Sequence, residues 1–283
     1  MQLTPLLCGN IKERKKNLVD SIDIVYSEYE PYGEFIALLV SKLYAKNSSK
    51  TPKIVINTCA IEHLLIQKYI HSHPSVLVPC TNHSFISTVV YVASVMGSIT
   101  LNRGIVKAAT NRLTILSSLK QADIKIPRFW ATLNLSLLFP KIQLEDYPIV
   151  IKSLNLPAQK KTIVRNVEEF HAFICQHQNQ VREAKTLYFI EELIAHDPNY
   201  KKIYVCGNKI AAYNKGPVSN PDPVRLQITT DLRVLVEKIG KILQLDFFSV
   251  DTIEIDNEDI VVDVNFYPVY NYHREAYNWL ADL

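Results

Sequence analysis

The sequence predicts an α/β protein, and three observations favour that fold class. Short apolar runs typical of buried strands alternate along the 283-residue chain with stretches of helical periodicity. Hydrophobic residues form 48% and charged residues 21% of the composition, as in a protein that buries a large core. The seven glycines are scattered. Because glycine-rich phosphate loops need clustered glycines, folds built on such loops are disfavoured, and side chains must make much of any phosphate contact.

The first segment, residues 1–104, is predicted to be a small α/β domain. Apolar, strand-like runs at 22–26 and 53–57 alternate with helical stretches at 35–45 and 61–71. Strands that alternate with helices are typical of a sheet covered by helices.

The second segment, residues 105–199, carries further elements of both kinds. A helical pattern at 105–122 ends before the Ile126-Pro127 step, because proline cannot continue a helix. The elements predicted after it are two short buried strands, a helix and a third strand, at 148–152, 161–164, 167–181 and 186–190.

The third segment, residues 200–283, holds the last predicted strands. Residues 202–206 and 209–213 are predicted to form a hairpin around a Gly-Asn turn. Thr230 is predicted to cap a helix of about 14 residues whose apolar positions share one face. Two strands are predicted after this helix, at 248–255 and 259–265.

Two carboxylates and one amide are predicted to share a face of these last two strands. Residues two apart on a strand point to the same side, so Asp263 and Asn265 project together, and Asp251 on the paired strand can join them. Their hard oxygen atoms suit Mg²⁺, an ion that also holds nucleotide phosphates. The alternative is that these side chains lie on the solvated outer face of an antiparallel hairpin.

The overall charge and the cysteines limit the expected surroundings and partners. A formal net charge of +3 is too mild for a general nucleic-acid binder, although it allows a local cationic pocket for a phosphorylated small molecule. The five cysteines form no CxxC pair, so neither a zinc ribbon nor a disulfide framework is predicted. The apolar stretches are too short to span a bilayer, and the N-terminus lacks a signal-peptide pattern. We expect a cytoplasmic monomer that binds neither nucleic acid nor membrane.

Several motifs, taken in chain order, resemble the ATP-grasp superfamily. They are the strand that ends in Lys152, the Glu-Glu-Leu-Ile of 191–194, Asp251, and the Asp-Val-Asn of 263–265. Within that superfamily the sequence is similar to the inositol tris/tetrakisphosphate kinases. The similar segments are 67–74 (QEYIxxHP in the family), 111–112 with 126–129 (DR and PxF), 191–196 (QEFVNH), 202–207 (KVYVVG) and 263–270 (DINxFPGY).

The resemblance implies an ATP-grasp fold that binds ATP and Mg²⁺. ATP would lie between a central subdomain, residues 105–199, and a C-terminal subdomain, residues 200–283, with residues 1–104 on the substrate side. The side chains implied at the ATP phosphates are Arg112 and Lys152, and the residues implied at the adenine slot are Glu191, Glu192 and Ile194. Phosphoryl transfer depends on positioning and charge neutralisation more than on covalent chemistry, which suits such a site.

The same resemblance assigns Asp251, Asp263 and Asn265 to magnesium and places Lys202 near the transferred phosphoryl group. Lys202 and Asp263 are therefore the implied catalytic residues. The implied substrate is small and anionic, similar to an inositol polyphosphate. The residues expected to contact it are Lys160, Lys161, His196, Lys202 and Lys215. The alternative is that these lysines are separate, solvated surface groups.

The sequence departs from the family where an inositol phosphate would bind. The loop at 153–161 is short and lacks the family's histidine, Val269 stands in place of a glycine, and 214–217 keeps one cation of two. The primary prediction is an ATP- and magnesium-dependent kinase that transfers the γ-phosphate of ATP to a polyanionic substrate. Two alternatives stay open: a carboxylate–amine ligase that acts through an acyl phosphate, and a nucleotide-binding protein without catalysis.

Overall fold

In the described part of the chain, three β-sheets carry the strands, one in each predicted segment. The computed structural model describes residues 21–28, 33–48, 55–64, 66, 76–81, 85–108, 112–153, 161–182, 186–194, 200–214, 223–268, 273 and 276–283. The predicted α/β class is confirmed. The helices are α1 (Gly33–Asn47), α2 (Ile86–Val95), α3 (Ile105–Ala108), α4 (Arg112–Gln121), α5 (Val167–Arg182), α6 (Thr230–Leu243) and α7 (Ala276–Asp282).

The first sheet is parallel, in the order β2-β1-β3-β4. Its strands are β1 (Ser21–Tyr26), β2 (Val55–Ala60), β3 (Val76–Cys80) and β4 (Ile99–Thr100). Ile24 and Val25, which point to opposite faces of the central strand β1, are both fully buried. Both faces of the sheet are therefore covered, as is usual for parallel strands.

The second sheet is antiparallel, in the order β5-β8-β6-β7. Its strands are β5 (Phe129–Thr132), β6 (Ile149–Ser153), β7 (Thr162–Val164) and β8 (Tyr188–Glu192). Alternation along β6 turns Ile149 and Ile151 towards Phe170 of α5, where they form a separate hydrophobic core. Val150 and Lys152 consequently point to the opposite face.

The third sheet is antiparallel, in the order β11-β10-β9-β12-β13. Its strands are β9 (Tyr200–Cys206), β10 (Lys209–Asn214), β11 (Val224–Leu226), β12 (Phe247–Ile255) and β13 (Glu258–Asn265). The apolar stripe of α6 packs on one face of this sheet, because Val236 and Ile239 share a core with Val250 and Val264. On the other face, Tyr204 and Phe247 belong to a second apolar core, and polar side chains occupy the part of that face beyond this core.

Four sequence-based boundaries need correction. The strand predicted at 53–57 is β2, which continues to Ala60. The helix predicted at 61–71 begins as a 3-10 turn, Ile61–His63, and the backbone is already extended at Leu64; residues 67–71 lie outside the described part of the chain. The strand predicted at 186–190 is Tyr188–Glu192, so both glutamates belong to it. The cap of α6 is Thr229, whose hydroxyl accepts the N–H of Leu232 at 3.2 Å, and Thr230 is the first helical residue.

A buried polar contact joins the loop after β4 to the third sheet. Asn102 is fully buried in left-handed backbone geometry (φ 50°), a conformation that asparagine tolerates better than most residues. Its side chain bonds to the backbone of Asp246, Phe247 and Phe266, and its own N–H donates to the Asp246 carboxylate at 2.6 Å. Gly104 belongs to the same contact, because its N–H donates to the Gln244 carbonyl at 3.1 Å, and these residues together are called the Asn102 joint below.

One hydrophobic core cluster draws residues from all three predicted segments, for example Leu77, Leu119 and Val236. The boundaries predicted at residues 104 and 199 therefore stay a prediction. Within the described part of the chain, no helix has both the length and the apolar character needed to cross a bilayer.

Candidate functional site

A polar cleft lies between the inner faces of the second and third sheets. It collects side chains that are far apart in sequence, because β6 and β8 supply one wall and β9, β12 and β13 supply the other. The residues that line it are Arg112, Pro127, Val150, Lys152, Lys161, Glu191, Glu192, Leu193, Ile194, Tyr200, Ile253, Val262 and Asp263.

Three charged residues form a row across the third sheet at the edge of this cleft. Asp251 lies directly opposite Lys202 on one neighbouring strand and opposite Asp263 on the other. Lys202 Nζ is 2.9 Å from Asp251 Oδ1. One row deeper, Asn265 donates its side-chain amide to Asp263 Oδ2 at 3.3 Å. The predicted Asp251, Asp263 and Asn265 set therefore does share one face of the sheet.

A β-bulge keeps this row intact. Asp263 pairs with Asp251, but Val261 pairs with Thr252, so Val262 is the extra residue on β13. The extra residue lets Val261 stay in the core while Asp263 still points to the cleft, although the two would otherwise share a face. The bulge also exposes the Val262 carbonyl, which accepts a hydrogen bond from Arg112.

Arg112, the first residue of α4, connects the two walls. Its Nη1 donates to Asp263 Oδ1 at 2.7 Å, and its Nη2 donates to Glu191 Oε2 at 3.0 Å and to the Val262 carbonyl. The guanidinium carbon lies 5.5 Å from the centre of the Phe189 ring. Its Nε is buried without a hydrogen-bond partner among the described residues. Arg112 thus holds both sheets and keeps one donor unsatisfied.

Lys152 and Glu191 form an ion pair on the facing wall. Val150 lies opposite Glu191, and Lys152 lies opposite Phe189, so all four share one face of the second sheet. Lys152 Nζ contacts Glu191 Oε1. Burial lowers the pKa of Lys152, and the nearby positive charge of Arg112 lowers it further, while Glu191 opposes both effects.

The segment that follows β8 is fixed by backbone contacts on both sides. The Glu192 N–H donates to the Arg128 carbonyl at 3.0 Å, and the Leu193 N–H donates to the Pro148 carbonyl at 2.8 Å. The Glu192 side chain pairs with Arg128 Nε at 2.7 Å and Ile194 is buried. This segment, predicted to line an adenine slot, does lie along the cleft.

Two residues that sequence reasoning missed close the opposite wall. Tyr200 and Ile253 lie opposite each other on neighbouring strands and face the cleft. Burial raises the pKa of Tyr200, and the nearby carboxylates of Glu191 and Asp251 raise it further. Their signal in the sequence is the alternation that also places Lys202 and Asp251, since Tyr200 precedes Lys202 by two and Ile253 follows Asp251 by two.

The donor set fits a hard divalent cation. Asp251, Asp263 and Asn265 offer two carboxylates and an amide oxygen, the ligands that Mg²⁺ prefers. In the described part of the chain, no group of three or more His, Cys, Asp or Glu side chains could hold a metal. A cation here would consequently need oxygen atoms from the amide or from a bound ligand in addition to the two carboxylates.

The structure describes most of the predicted site residues and leaves three of them outside its described part. Lys161 lines the mouth of the cleft and is exposed. The structure gathers the other described ones in or beside the cleft: Arg112, Lys152, Glu191, Glu192, Ile194, Lys202, Asp251, Asp263 and Asn265. Three predicted substrate contacts lie outside the described residues: Lys160, His196 and Lys215.

Comparisons with known proteins identify the fold of this chain through solved structures and not through sequence similarity. No protein-family model matches the sequence, and no curated protein sequence is significantly similar to it. A RimK-domain ATP-grasp protein of Sphaerobacter thermophilus superimposes with a TM-score of 0.71 and 16% identity, over 93% of this chain and 98% of that one. D-alanine–D-alanine ligase of Bacillus anthracis, solved with ATP, gives 0.65 and 15%, over 94% and 95%.

A third structure is the ATP-grasp ligase PsnB, solved with Mg, ADP and a phosphomimetic variant of its minimal precursor. Its TM-score is 0.67 at 14% identity, over 94% of this chain and 98% of that one. At such identities the likeness concerns the fold, and it extends over nearly the whole length of each protein. The chain has the ATP-grasp fold, as the sequence motifs predicted.

Proposed function

We propose that this chain is an ATP- and magnesium-dependent carboxylate–amine ligase. It transfers the terminal phosphoryl group of ATP to a carboxylate oxygen of its substrate, which releases ADP, and an amine then displaces phosphate from the acyl phosphate to form an amide. The observation that carries the proposal is the row of oxygen donors, Asp251, Asp263 and Asn265, set against the cations Arg112 and Lys152. This arrangement supplies metal ligands and phosphate contacts on facing walls. The ATP-grasp fold supports the same reading, because solved neighbours named as ligases share it.

Each residue has a distinct role in this proposal. Asp251, Asp263 and Asn265 hold Mg²⁺, which neutralises charge on the phosphates when it is bound. Arg112 and Lys152 contact the phosphates. The backbone around Glu192 and the side chain of Ile194 support the adenine ring from one wall of the cleft, and Tyr200 and Ile253 face it from the opposite wall. Lys202, held beside Asp251 at 2.9 Å, lies next to the reacting groups and stabilises negative charge there.

The charge balance of the described cleft favours a carboxylate acceptor over a polyanion. Five cations lie in or beside the cleft, and five carboxylates balance them: Arg112, Arg128, Lys152, Lys161 and Lys202 against Asp146, Glu191, Glu192, Asp251 and Asp263. ATP with its magnesium already carries net negative charge. A substrate with many phosphates would therefore need further cations, whereas a single carboxylate would not.

Trapping with hydroxylamine tests this proposal directly. An activated carboxylate reacts with hydroxylamine to give a hydroxamate, so a panel of amino acids and peptides is incubated with ATP, Mg²⁺ and hydroxylamine. We expect hydroxamate and ADP to appear together. Lys202→Met should lower both, while Lys201→Met, whose lysine pairs with Glu254 and Asp259 on the opposite face of β9, should keep them. ADP release with a phosphorylated product and no hydroxamate would contradict the ligase assignment.

A second candidate is the kinase that acts on a small polyanion such as an inositol polyphosphate. The similarity of segments 191–196 and 202–207 to the inositol phosphate kinases favours it, and Lys161 at the mouth of the cleft supports it. Binding of inositol phosphates that differ in phosphate number, at low and moderate salt, tests this candidate. Affinity should rise with phosphate number and should weaken in Lys202→Ala and Lys215→Ala. Nucleotide binding without any turnover would instead favour a non-catalytic protein.

A further inference from the structure

Ser249 carries a buried hydroxyl that the proposed roles leave unexplained. It lies on β12 two residues before Asp251, and so points to the same face of the sheet. The residue is fully buried, and its Oγ has no hydrogen-bond partner among the described residues. Buried hydroxyls are nearly always hydrogen-bonded, so a solitary one beside a row of functional side chains calls for a physical reason.

The residue directly opposite Ser249 supplies that reason. The cross-strand partner of Ser249 on β13 is Asn265. Directly paired residues of an antiparallel sheet have Cβ atoms about 5 Å apart, which lets a serine hydroxyl and an asparagine amide reach each other. In this structure the Asn265 Nδ2 donates to Asp263 Oδ2 over 3.3 Å, slightly longer than a usual N–H···O hydrogen bond.

Metal binding would change the hydrogen-bond partner available to the side-chain NH₂ group of Asn265. If Asp263 and Asn265 both turn oxygen atoms to a divalent cation, the Asn265 NH₂ group must point away from that cation and loses its carboxylate acceptor. The Ser249 hydroxyl lies on the adjacent strand and is buried away from solvent, and its oxygen accepts no hydrogen bond from the described residues. Ligand side chains of metal sites are commonly oriented by such outer partners.

We propose that Ser249 is a positioning residue for the metal site. Its hydroxyl accepts a hydrogen bond from the side-chain NH₂ of Asn265, and that bond fixes the amide with its oxygen towards the cation. The inference rests on the proposed function, since it requires Asp263 and Asn265 to bind magnesium. It adds a residue that contacts neither the metal nor the nucleotide.

Ser98 offers a matched control for this proposal. It is the other serine in the described part of the chain with a buried, unpartnered hydroxyl, and it lies before β4 in the first sheet, away from the cleft. Ser98→Ala and Ser249→Ala therefore make the same chemical change in similarly buried places. Only Ser249 is paired across strands with a predicted metal ligand.

The experiment measures Mn²⁺ binding by electron paramagnetic resonance of the free ion, in the presence of a saturating non-hydrolysable ATP analogue. We expect Ser249→Ala to weaken Mn²⁺ affinity about 10- to 100-fold, the range seen when outer partners of metal ligands are removed. Nucleotide affinity without metal should not change. The melting temperature should equal or exceed that of the parent, because the variant removes a buried, unpaired hydroxyl. Ser98→Ala should leave Mn²⁺ affinity unchanged.

A double-mutant cycle separates positioning from a general structural role. In an Asn265→Ala background no amide remains to be positioned, so Ser249→Ala should cause no further loss of Mn²⁺ affinity. Equal Mn²⁺ affinity in Ser249→Ala and Ser98→Ala would overturn the inference while leaving the proposed function in place. A parent protein that binds neither nucleotide nor Mn²⁺ would overturn both.

Discussion

The Asn102 joint and the cleft are both clusters of polar side chains, but they differ in how completely their hydrogen-bonding groups are paired. In the joint, the neutral amide of Asn102 makes all four of its possible hydrogen bonds, at 2.7–3.0 Å, to the backbone of Asp246, Phe247 and Phe266. In the cleft, Arg112 and Lys152 share the single carboxylate of Glu191, and the Arg112 Nε has no partner within the described chain. One cluster is complete, whereas the other is not.

The difference indicates how to distinguish a structural polar cluster from a functional one. Backbone groups that bond to Asn102 cannot be exchanged without moving strands, so the joint resists any new partner. The ion pairs of the cleft join side chains that can turn to other partners. A carboxylate that leaves Arg112 can pair with a metal ion, and Arg112 can pair with a phosphate, so each group keeps a charged partner. We therefore expect mutations in the joint to change stability and mutations in the cleft to change binding and turnover.

The largest effect is expected at Gly104, which lies within the joint. A Cβ atom at this position would lie 1.5 Å from the Leu243 carbonyl oxygen, and backbone atoms there cannot move aside. Gly104→Ala should therefore lower the free energy of unfolding by about 3–5 kcal/mol, as severe overpacking does. Urea unfolding at pH 7 measures the change.

Gly240→Ala is the matched control for that prediction. Its added Cβ would meet the ring of Phe248 at 3.0 Å, a contact that a shift of a few tenths of an ångström relieves, and alanine is the better helix former inside α6. We expect a change within about 1 kcal/mol. Similar losses in both glycine variants would mean that the joint is no tighter than the rest of the core.

The next effect is expected in the cleft and should leave the fold unchanged. Asp263→Asn removes a negative charge at the proposed metal position, while its amide can still accept a hydrogen bond from Arg112. Metal-dependent turnover should fall about 100-fold or more, the scale of losing one preorganised electrostatic contact. Asp259→Asn, on the other face of β13 beside Lys201, should retain turnover. Unchanged ADP release in Asp263→Asn would remove the metal assignment.

A smaller loss is expected at Lys152. Lys152→Met should weaken ATP binding by roughly 1.5–3 kcal/mol, the contribution of one charge-assisted contact. Stability should change less, because burial already disfavours the charged lysine and Arg112 remains as a partner for Glu191. Titration calorimetry with ATP measures the affinity, and Lys141→Met, at an exposed position, is the control. Equal ATP affinity in Lys152→Met and the parent would count against a phosphate contact.

Local periodicity made part of this site predictable. The spacing of Asp263 and Asn265 and the pairing with Asp251 follow from strand alternation, which is a property of neighbouring residues. Lys152 follows from the same alternation at the end of an apolar strand. The sequence predicted that these residues share one face, with a solvated hairpin as the alternative. The strand register places Asp251 and Asp263 on one face.

Contacts between distant elements were not predictable. The bridge from Arg112 to Asp263 and Glu191 depends on where α4 meets two sheets, and no local pattern encodes that meeting. The bulge at Val262 was hidden because a run of apolar residues, 260–262, has no alternation to break. The Asn102 joint was also missed, because a single asparagine in a loop indicates only a turn and gives no sign of its contacts with a distant strand.

The smallest effect is expected at Asp246, the one titratable side chain of the joint. Burial raises its pKa above the ordinary value of 3.8, although the Asn102 N–H and the charge of Arg103 oppose the shift. The folded state therefore binds the proton more tightly than the unfolded state. The stability that this group contributes is present below pH 3.8 and is lost as the pH rises through its raised pKa.

Asp246→Asn tests that sign. An asparagine at this position carries no charge to bury, and its carbonyl oxygen can still accept the Asn102 N–H. We expect the variant to match or exceed the parent at pH 7, within about 1 kcal/mol. Urea unfolding of both proteins between pH 4 and pH 7 should show this advantage shrinking as the pH falls, because the parent's carboxylate becomes protonated. An advantage that grows towards low pH would mean that the charged form of Asp246 stabilises the joint, and the contrast between a neutral joint and a charged cleft would fail.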